Sequence, residues 1–356
     1  LWTSIIAKGA APYREVLTHG FIVDQDRNKI SKSSAYEKPQ TLEAYVARHG
    51  ADVIRLWISS QDFRDDFPVS EEILGHVGET YRLLRNTLRF QISNLFDFDA
   101  ARDAVPFAEM NPVDRWVLNR TAQLIGQCDA AYEAFEFHRV YQLCNQFCSV
   151  TLSSTYHDIL KDRLYTFARD SRARRSAQTA LHGIFSALSR VVAPILVFTA
   201  DEAWSYGTEG KELGDDPVHL QDWPAVPVEW LETTSAAAVD AVVALRAPVN
   251  EKLEALRKDG TVGKGLDAAV AFTGDAAGGE MRALSALASS LPEMFIVSQV
   301  SVTAVPGAPF AIEARPCETL GLVRCPRCWR WVEQLNSTEM GETCPRCVEA
   351  LESSNN

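Results

Sequence analysis

Four cysteines near the C-terminus constrain this chain more than any other feature. Cys325, Cys328, Cys344 and Cys347 stand in the pattern C-x2-C-x15-C-x2-C within "CPRCWRWVEQLNSTEMGETCPRC". Two residues between cysteines let one tight turn aim both thiols at a common point, and the intervening hairpin returns a matching pair. The pattern predicts a closed tetrahedral site for one structural Zn2+, with no open position for catalysis. A pair of redox dithiols, or unpaired thiols, are the other readings of these residues. Four thiolates around a divalent cation leave a formal charge of about −2. Arg327 and Arg346, one inside each turn, are placed to offset it. A terminal segment of about 35 residues buries too little apolar surface to fold alone, so metal is expected to supply much of its folding energy.

The other cysteines read differently. Cys128, Cys144 and Cys148 fall on apolar helical faces, as small buried hydrophobes, and Cys317 lies outside the metal pattern. Eight cysteines in 356 residues, half of them in one cluster, do not form the framework of a secreted disulfide scaffold. A reducing, cytoplasmic compartment is expected. The longest apolar run, near residues 191–198, is too short to span a bilayer and contains Pro194. A net charge of −12 argues against a general polyanion binder but leaves room for a local basic patch. Residues 161–175 hold six basic and two acidic side chains and are the candidate for phosphate contact. Trp329 and Trp331, set among Arg324, Arg327 and Arg330, read equally as nucleotide-stacking groups or as the module's own packing.

The fold expected is mainly α. Residues 16–24 read as a strand, and a helix follows with Val53, Ile54, Trp57 and Ile58 on one face. From Ser70, an N-cap before Glu71 and Glu72, helical periodicity lasts about 130 residues. Tyr81, Leu84, Leu88, Ile92 and Leu95 form the first stripe. Asn111-Pro112 starts a second, through Val113, Trp116, Leu124, Cys128, Ala131 and Phe135. A third carries Val140, Cys144, Phe147, Thr151, Thr155 and Ile159, and a fourth, kinked at Pro194, runs from Leu181 to Leu196. Four such helices imply a bundle. Another amphipathic helix over residues 235–258 and short strands around a helix near 280–290 then make a small α/β unit.

One loop stands apart. In "GFIVDQDRNKISKS" Lys29 and Lys32 flank Ile30 among serines, and two ammonium groups so spaced can converge on one polyphosphate when the loop folds over it. "PYREVLTHGFIVDQDRNKISKS" with "GADVIRLWISSQDFRDDFPVSEEIL" resembles the signature-loop region of class I aminoacyl-tRNA synthetases, "KISKS" standing where that family has KMSKS. "DRWVLNR", "YEAFEFHRV", "DRLYT", "RRSAQTAL" and "APILVFTADEAW" are similar to the anticodon-binding helices of the isoleucine, valine and leucine subgroup. "CPRCWRW" with the later "CPRC" resembles the zinc module of bacterial-type isoleucyl members.

The resemblance implies an ATP-dependent ligase acting on isoleucine and its tRNA. Lys29 and Lys32 would serve adenylation, with Lys32 the principal contact to ATP, itself carried with Mg2+ as substrate. Residues 1–66 would be the end of a class I α/β catalytic core, 67–232 an anticodon-binding helical bundle, 233–314 a small α/β domain and 315–356 the zinc module. Ile30 in place of Met keeps an apolar anchor in the loop. The HIGH motif and the half of the active site that goes with it do not occur in these residues. The chain is therefore expected to be a piece of a longer, monomeric enzyme, inactive alone and without a membrane partner. A free-standing tRNA-binding module, a zinc-ribbon scaffold for protein partners and the matching part of a valyl or leucyl enzyme are the competing readings.

Overall fold

The computed structural model describes residues 1–24, 41–207, 216–338 and 341–352; Lys29 and Lys32 lie outside them. Helix α1, Trp2–Lys8, buries none of its side chains. Strand β1, Ile22–Val23, pairs in parallel with β2, Phe67–Pro68, so only the end of the expected strand joins a sheet. Between them lie α2, Leu42–His49, and α3, Ala51–Ser59. Thr41 caps α2 by accepting from the Ala44 amide. On α3, Val53, Ile54, Leu56 and Trp57 are buried while Ile58, one step past that face, is exposed.

The bundle begins with α4, Glu71–Asn94, capped by the Ser70 hydroxyl on the Ile73 amide at 3.2 Å. The short α5, Ala100–Asp103, leads to α6, Pro112–Glu133, where Asn111 Oδ1 accepts from the Val113 amide at 3.0 Å. The predicted stripe on α6 is buried from Val113 to Ala131. Phe135 lies beyond the helix end with φ of 55° and is exposed.

The third expected helix is three segments: α7, Phe137–Gln146, a π-helix over Phe147–Tyr156, and α8, His157–Thr166. Hydroxyls sustain the wide turns. Ser154 Oγ donates to the Ser149 carbonyl at 2.5 Å and Thr155 Oγ1 to that of Val150 at 3.0 Å, each five residues back. Wider turns shift the phase, so Leu152 and Tyr156 are buried where a regular helix would have turned Thr151 inward.

The fourth helix is broken, not kinked. α9, Arg172–Val192, stops short of Pro194, and α10, Val197–Gly207, starts afresh after it. α3 repairs the gap. Arg55 donates to the Pro194 and Ile195 carbonyls at 2.8 and 2.9 Å, and Asp52 accepts from the Phe198 and Thr199 amides at 3.3 and 2.7 Å. The segment that follows the lysine loop is thereby fastened to the bundle.

His157 sits at the π-to-α junction, its ring stacked on Phe90 at 4.2 Å and its buried Nε2 without a partner. Burial, then the charge of Lys161, pushes its pKa down to about 3. Protonation therefore favours the unfolded chain, and this contribution to stability is complete above about pH 6.5 and drains away as pH falls towards 3. Urea midpoints at pH 7 and pH 5 should differ more for the natural chain than for His157→Phe; equal differences would contradict this.

After the bundle come α11, Thr234–Ala244, and α12, Arg246–Lys258, which divide the expected single helix at Leu245. Strand β3, Ala268–Gly274, is central in a sheet ordered β4-β3-β5. It runs parallel to β4, Gln299–Ala304, through Ala269↔Gln299, and antiparallel to β5, Ala311–Pro316, through Ala268↔Pro316. α13, Gly279–Ala286, and α14, Leu291–Met294, cross between β3 and β4. One apolar core runs from Val53 to Val297, joining bundle and sheet. The chain then forms two small hairpins, β6 (Val323–Arg324) with β7 (Trp331–Val332) and β8 (Asn336–Thr338) with β9 (Gly341–Thr343), before α15, Pro345–Glu352.

Candidate metal centre and its seat on the bundle

The first cysteine pair sits in the β6–β7 hairpin. The Cys325 amide donates to the Arg330 carbonyl and the Trp329 amide to the Cys325 carbonyl, both at 2.9 Å, closing a knuckle around Cys325 and Cys328. The second pair opens α15, where the Cys347 amide donates to the Cys344 carbonyl at 2.8 Å. All four cysteines are buried, and their sulfurs lie within 4.8 Å of one another. Cys325 and Cys347 Sγ are 3.9 Å apart, and Cys328 and Cys344 Sγ 3.7 Å. A tetrahedron with metal–sulfur bonds of about 2.3 Å has edges of about 3.8 Å. A disulfide would need about 2.05 Å. The spacing fits a four-coordinate ion and rules out paired disulfides in this arrangement.

Electrostatics agree with the distances. Cys328 is lowered to about 4, first by a hydrogen bond from Cys347, with a backbone amide and Arg346 helping. Cys347 is raised, chiefly by its hydrogen bond to Cys328, and Cys344 by desolvation. One thiolate is tolerated in this pocket; four require a cation among them. The site can hold one metal ion.

The module is bolted to the protein on two sides. Arg346 grips Asp162 of α8 through both nitrogens, at 2.6 and 3.0 Å, and Arg330 reaches the same carboxylate at 3.1 Å. The Arg346 guanidinium also lies 4.6 Å from the centre of the Phe167 ring. Arg327 Nη1 donates to the Thr166 carbonyl at 2.5 Å and to Cys347 Sγ at 3.3 Å. The knuckle arginines thus differ: Arg327 bonds sulfur directly, while Arg346 is committed mainly to Asp162. On the other side, the Trp331 amide donates to Ser298 Oγ at 2.8 Å and its indole to Asp267 Oδ1 at 3.1 Å. Trp331 is packing. Trp329 is 49% exposed, holds φ at 63°, and has Lys264 Nζ 4.4 Å from its ring centre.

Asp162, Asp267 and Ser298 did not stand out in the sequence, since each anchors a partner far along the chain. Asp162→Ala should leave Arg346 and Arg330 without their carboxylate and weaken docking by about 2 kcal/mol, discounted for partial exposure. Amide exchange within residues 323–350 should then quicken about 30-fold while the bundle keeps its protection. Unchanged exchange would contradict this anchor.

The basic stretch at residues 161–175 is turned inward only in part: Arg163, Arg174 and Arg175 are buried, while Lys161, Arg169 and Arg172 stay exposed in surface ion pairs. Arg163, 1% exposed at its side chain, bonds Asp114 at 2.7 and 2.9 Å and also Glu293 of α14. Arg174 bonds Asp97 at 2.8 and 3.0 Å. Arg175 bonds the Asp97 carbonyl, Arg169 pairs with Asp97, Arg172 with Glu109, and Lys161 with Asp158. All six have internal partners. The count of charges marked the stretch but could not tell which way each side chain turns.

Lys29 and Lys32 lie outside the described residues. No helix among the described residues is long and apolar enough to cross a membrane.

Comparison with known proteins adds a framework. A family model described as the anticodon-binding domain of tRNA ligase matches residues 114–272, and one described as tRNA synthetases class I (I, L, M and V) matches residues 1–70. An isoleucine–tRNA ligase of Geobacter sulfurreducens is 38% identical over 363 residues, covering 99% of this chain and 38% of that protein. One from Nitratidesulfovibrio vulgaris is 40% identical over 366 residues, with 99% and 38% covered. One from Natranaerobius thermophilus is 36% identical over 373 residues, covering 100% of this chain and 39% of its own length. The chain thus spans under two fifths of the length of these curated relatives.

Proposed function

The chain belongs to the class I tRNA synthetases, and from that premise we propose that it is the tRNA-holding end of an isoleucine–tRNA ligase. The reaction would be the ATP-dependent joining of isoleucine to its tRNA. Within it, Lys29 and Lys32 would bring positive charge to the ATP phosphates as pyrophosphate leaves, Lys32 as the nearer contact. The Asp52 and Arg55 clamp supports a role for α3 in coupling that loop to the bundle, which would hold the anticodon end of the tRNA. The four cysteines would hold Zn2+, whose part is structural: an ion with four thiolate ligands has no position left for substrate.

The observation that carries the reading is Trp329. A bulky residue in the left-handed region costs about 1 kcal/mol or more, and most proteins place glycine there. Here the strained position holds an indole in solvent beside an ammonium group, on a module anchored to the bundle by Asp162. An aromatic face next to a cation is what an unpaired base stacks on. Such a surface also reconciles RNA binding with the net charge of −12, because contact is local.

Anisotropy titration of a labelled isoleucine-accepting tRNA against the zinc-loaded chain tests the proposal. Saturable binding that weakens steeply between 50 and 200 mM salt is expected, and Trp329→Ala should weaken it about tenfold. Absence of binding at low salt would overturn the reading. The same preparation should give no isoleucine-dependent exchange between pyrophosphate and ATP, since Lys29 and Lys32 alone do not make an adenylation site; exchange would contradict that division of labour.

A further inference from the structure

Arg163, Arg174 and Arg175 are buried in internal pairs, so residues 161–175 offer only part of their charge to the proposed RNA partner, leaving room for a further phosphate contact elsewhere. α4 supplies a candidate. Arg82, Arg85 and Arg89 follow one another along its solvent face at helical spacing. Arg82 pairs with Glu79. Arg85 and Arg89 are exposed, and among the described residues neither pairs with an acidic group. They line one wall of a cleft of about 310 Å3 between α4 and α10. Leu88 contributes to its floor, Ser93 lies beside the arginines, and Glu202 and Tyr206 form the facing wall. Tyr206 is 72% exposed.

The walls are fixed to each other. Tyr81 Oη and Thr199 Oγ1 are 3.0 Å apart across the two helices, and Asp52 Oδ2 accepts from the Thr199 hydroxyl at 2.6 Å. The cleft is a preformed feature, tied through Asp52 to α3.

We propose that the α4–α10 cleft binds a nucleotide of the RNA backbone: Arg85 and Arg89 take the phosphate, Tyr206 stacks on the base or sugar, and Glu202 accepts from a ribose 2′-hydroxyl. This rests on the reading that tRNA is the partner and adds the residues that grip it. Guanidinium forks match phosphate oxygens in pairs. A carboxylate on the facing wall repels a bare anion, so its presence suits a ligand that also brings a donor. The 2′-hydroxyl is the donor that distinguishes RNA from DNA.

The test uses the full chain, zinc-loaded, and an isoleucine-accepting tRNA transcript, with the salt dependence of binding measured for each variant. Arg85→Ala with Arg89→Ala should reduce affinity at least tenfold and flatten the log–log salt slope by about 0.8, the share of one phosphate. Lys161→Ala with Arg172→Ala, which removes exposed cations held in surface ion pairs outside the cleft, should flatten the slope less than the cleft variant does. Glu202→Ala should weaken tRNA binding although it removes a negative charge; a general anion site would bind tRNA more tightly after that change. Arg85 and Arg89 are exposed and, among the described residues, without acidic partners, so melting of the double variant should match the natural chain, and a lowered Tm would show them structural and overturn the assignment. If the natural chain binds tRNA and the double variant binds with the same affinity and slope, the cleft proposal fails while the tRNA reading stands. If the natural chain binds no tRNA, the reading fails and the cleft proposal falls with it.

Discussion

Chelating the metal is expected to unfold residues 323–352 and leave the helical bundle intact. Among the described residues the module's core is four cysteines with only Val332 and Leu335 packed against them as partly buried apolar side chains. Hydrophobic burial on that scale is worth a few kcal/mol at most. Structural Zn2+ sites of four thiolates contribute about 10–16 kcal/mol of apparent binding energy near neutral pH. Removal therefore takes away more than the module can replace, and the sulfurs left behind cannot all stay ionised. The bundle does not depend on it, because its apolar core is a separate cluster. The chain should contain about one zinc. Its loss should expose the last residues to protease and leave the main helical melting transition in place. Cys328→Ser should reproduce the apo behaviour. A Cys328→Ser variant that kept zinc at natural affinity would refute the four-cysteine site.

Arg163→Ala is expected to cost about 3–5 kcal/mol, the largest loss among single substitutions outside the module. Arg163 sits where α6, α8, α9 and α14 meet. Its nitrogens reach Asp114 and Glu293, while Asp114 also accepts from Tyr156 Oη at 2.8 Å and Ser176 Oγ at 2.5 Å. Burial works against the Arg163 charge, but Asp114 and Glu293 outweigh it and raise its pKa. Glu293 is itself raised by desolvation, partly offset by Arg163. Remove the guanidinium and two carboxylates remain in the interior facing each other. A fall in Tm on the order of 10 °C should follow. Replacing the group by apolar residues, Arg163→Met with Asp114→Leu and Glu293→Leu, should recover much of the loss, since a buried ion pair need not beat a packed hydrocarbon. If Arg163→Ala melts within 2 °C or so of the natural chain, the junction carries no such weight.

The cysteine quartet was legible because its geometry is nearly local: each knuckle closes within four residues, and only the return of the hairpin depends on the rest of the fold. Ser70 and Asn111-Pro112 were legible for the same reason, since a cap is a contact two or three residues long. Long-range pairings were not. Asp162 meets Arg346 across 184 positions, and Arg163, its immediate neighbour, faces the opposite way into the bundle. A run of arginines looks the same in sequence whether it coats a surface or fills an interior. The π-helix hides similarly, because serine and threonine at those positions are compatible with an ordinary turn. Pro194 announced a disturbance, but whether the helix bends or breaks was decided by Asp52 and Arg55, more than 130 residues upstream.

The most direct test of the tRNA-holding role compares two ligands. One is an isoleucine-accepting tRNA, the other the same tRNA with its anticodon replaced, and both are titrated against the zinc-loaded chain at 100 mM salt or thereabouts. A bundle and metal module that hold the anticodon end should prefer the natural tRNA by about tenfold or more. Equal affinity for the two would contradict it.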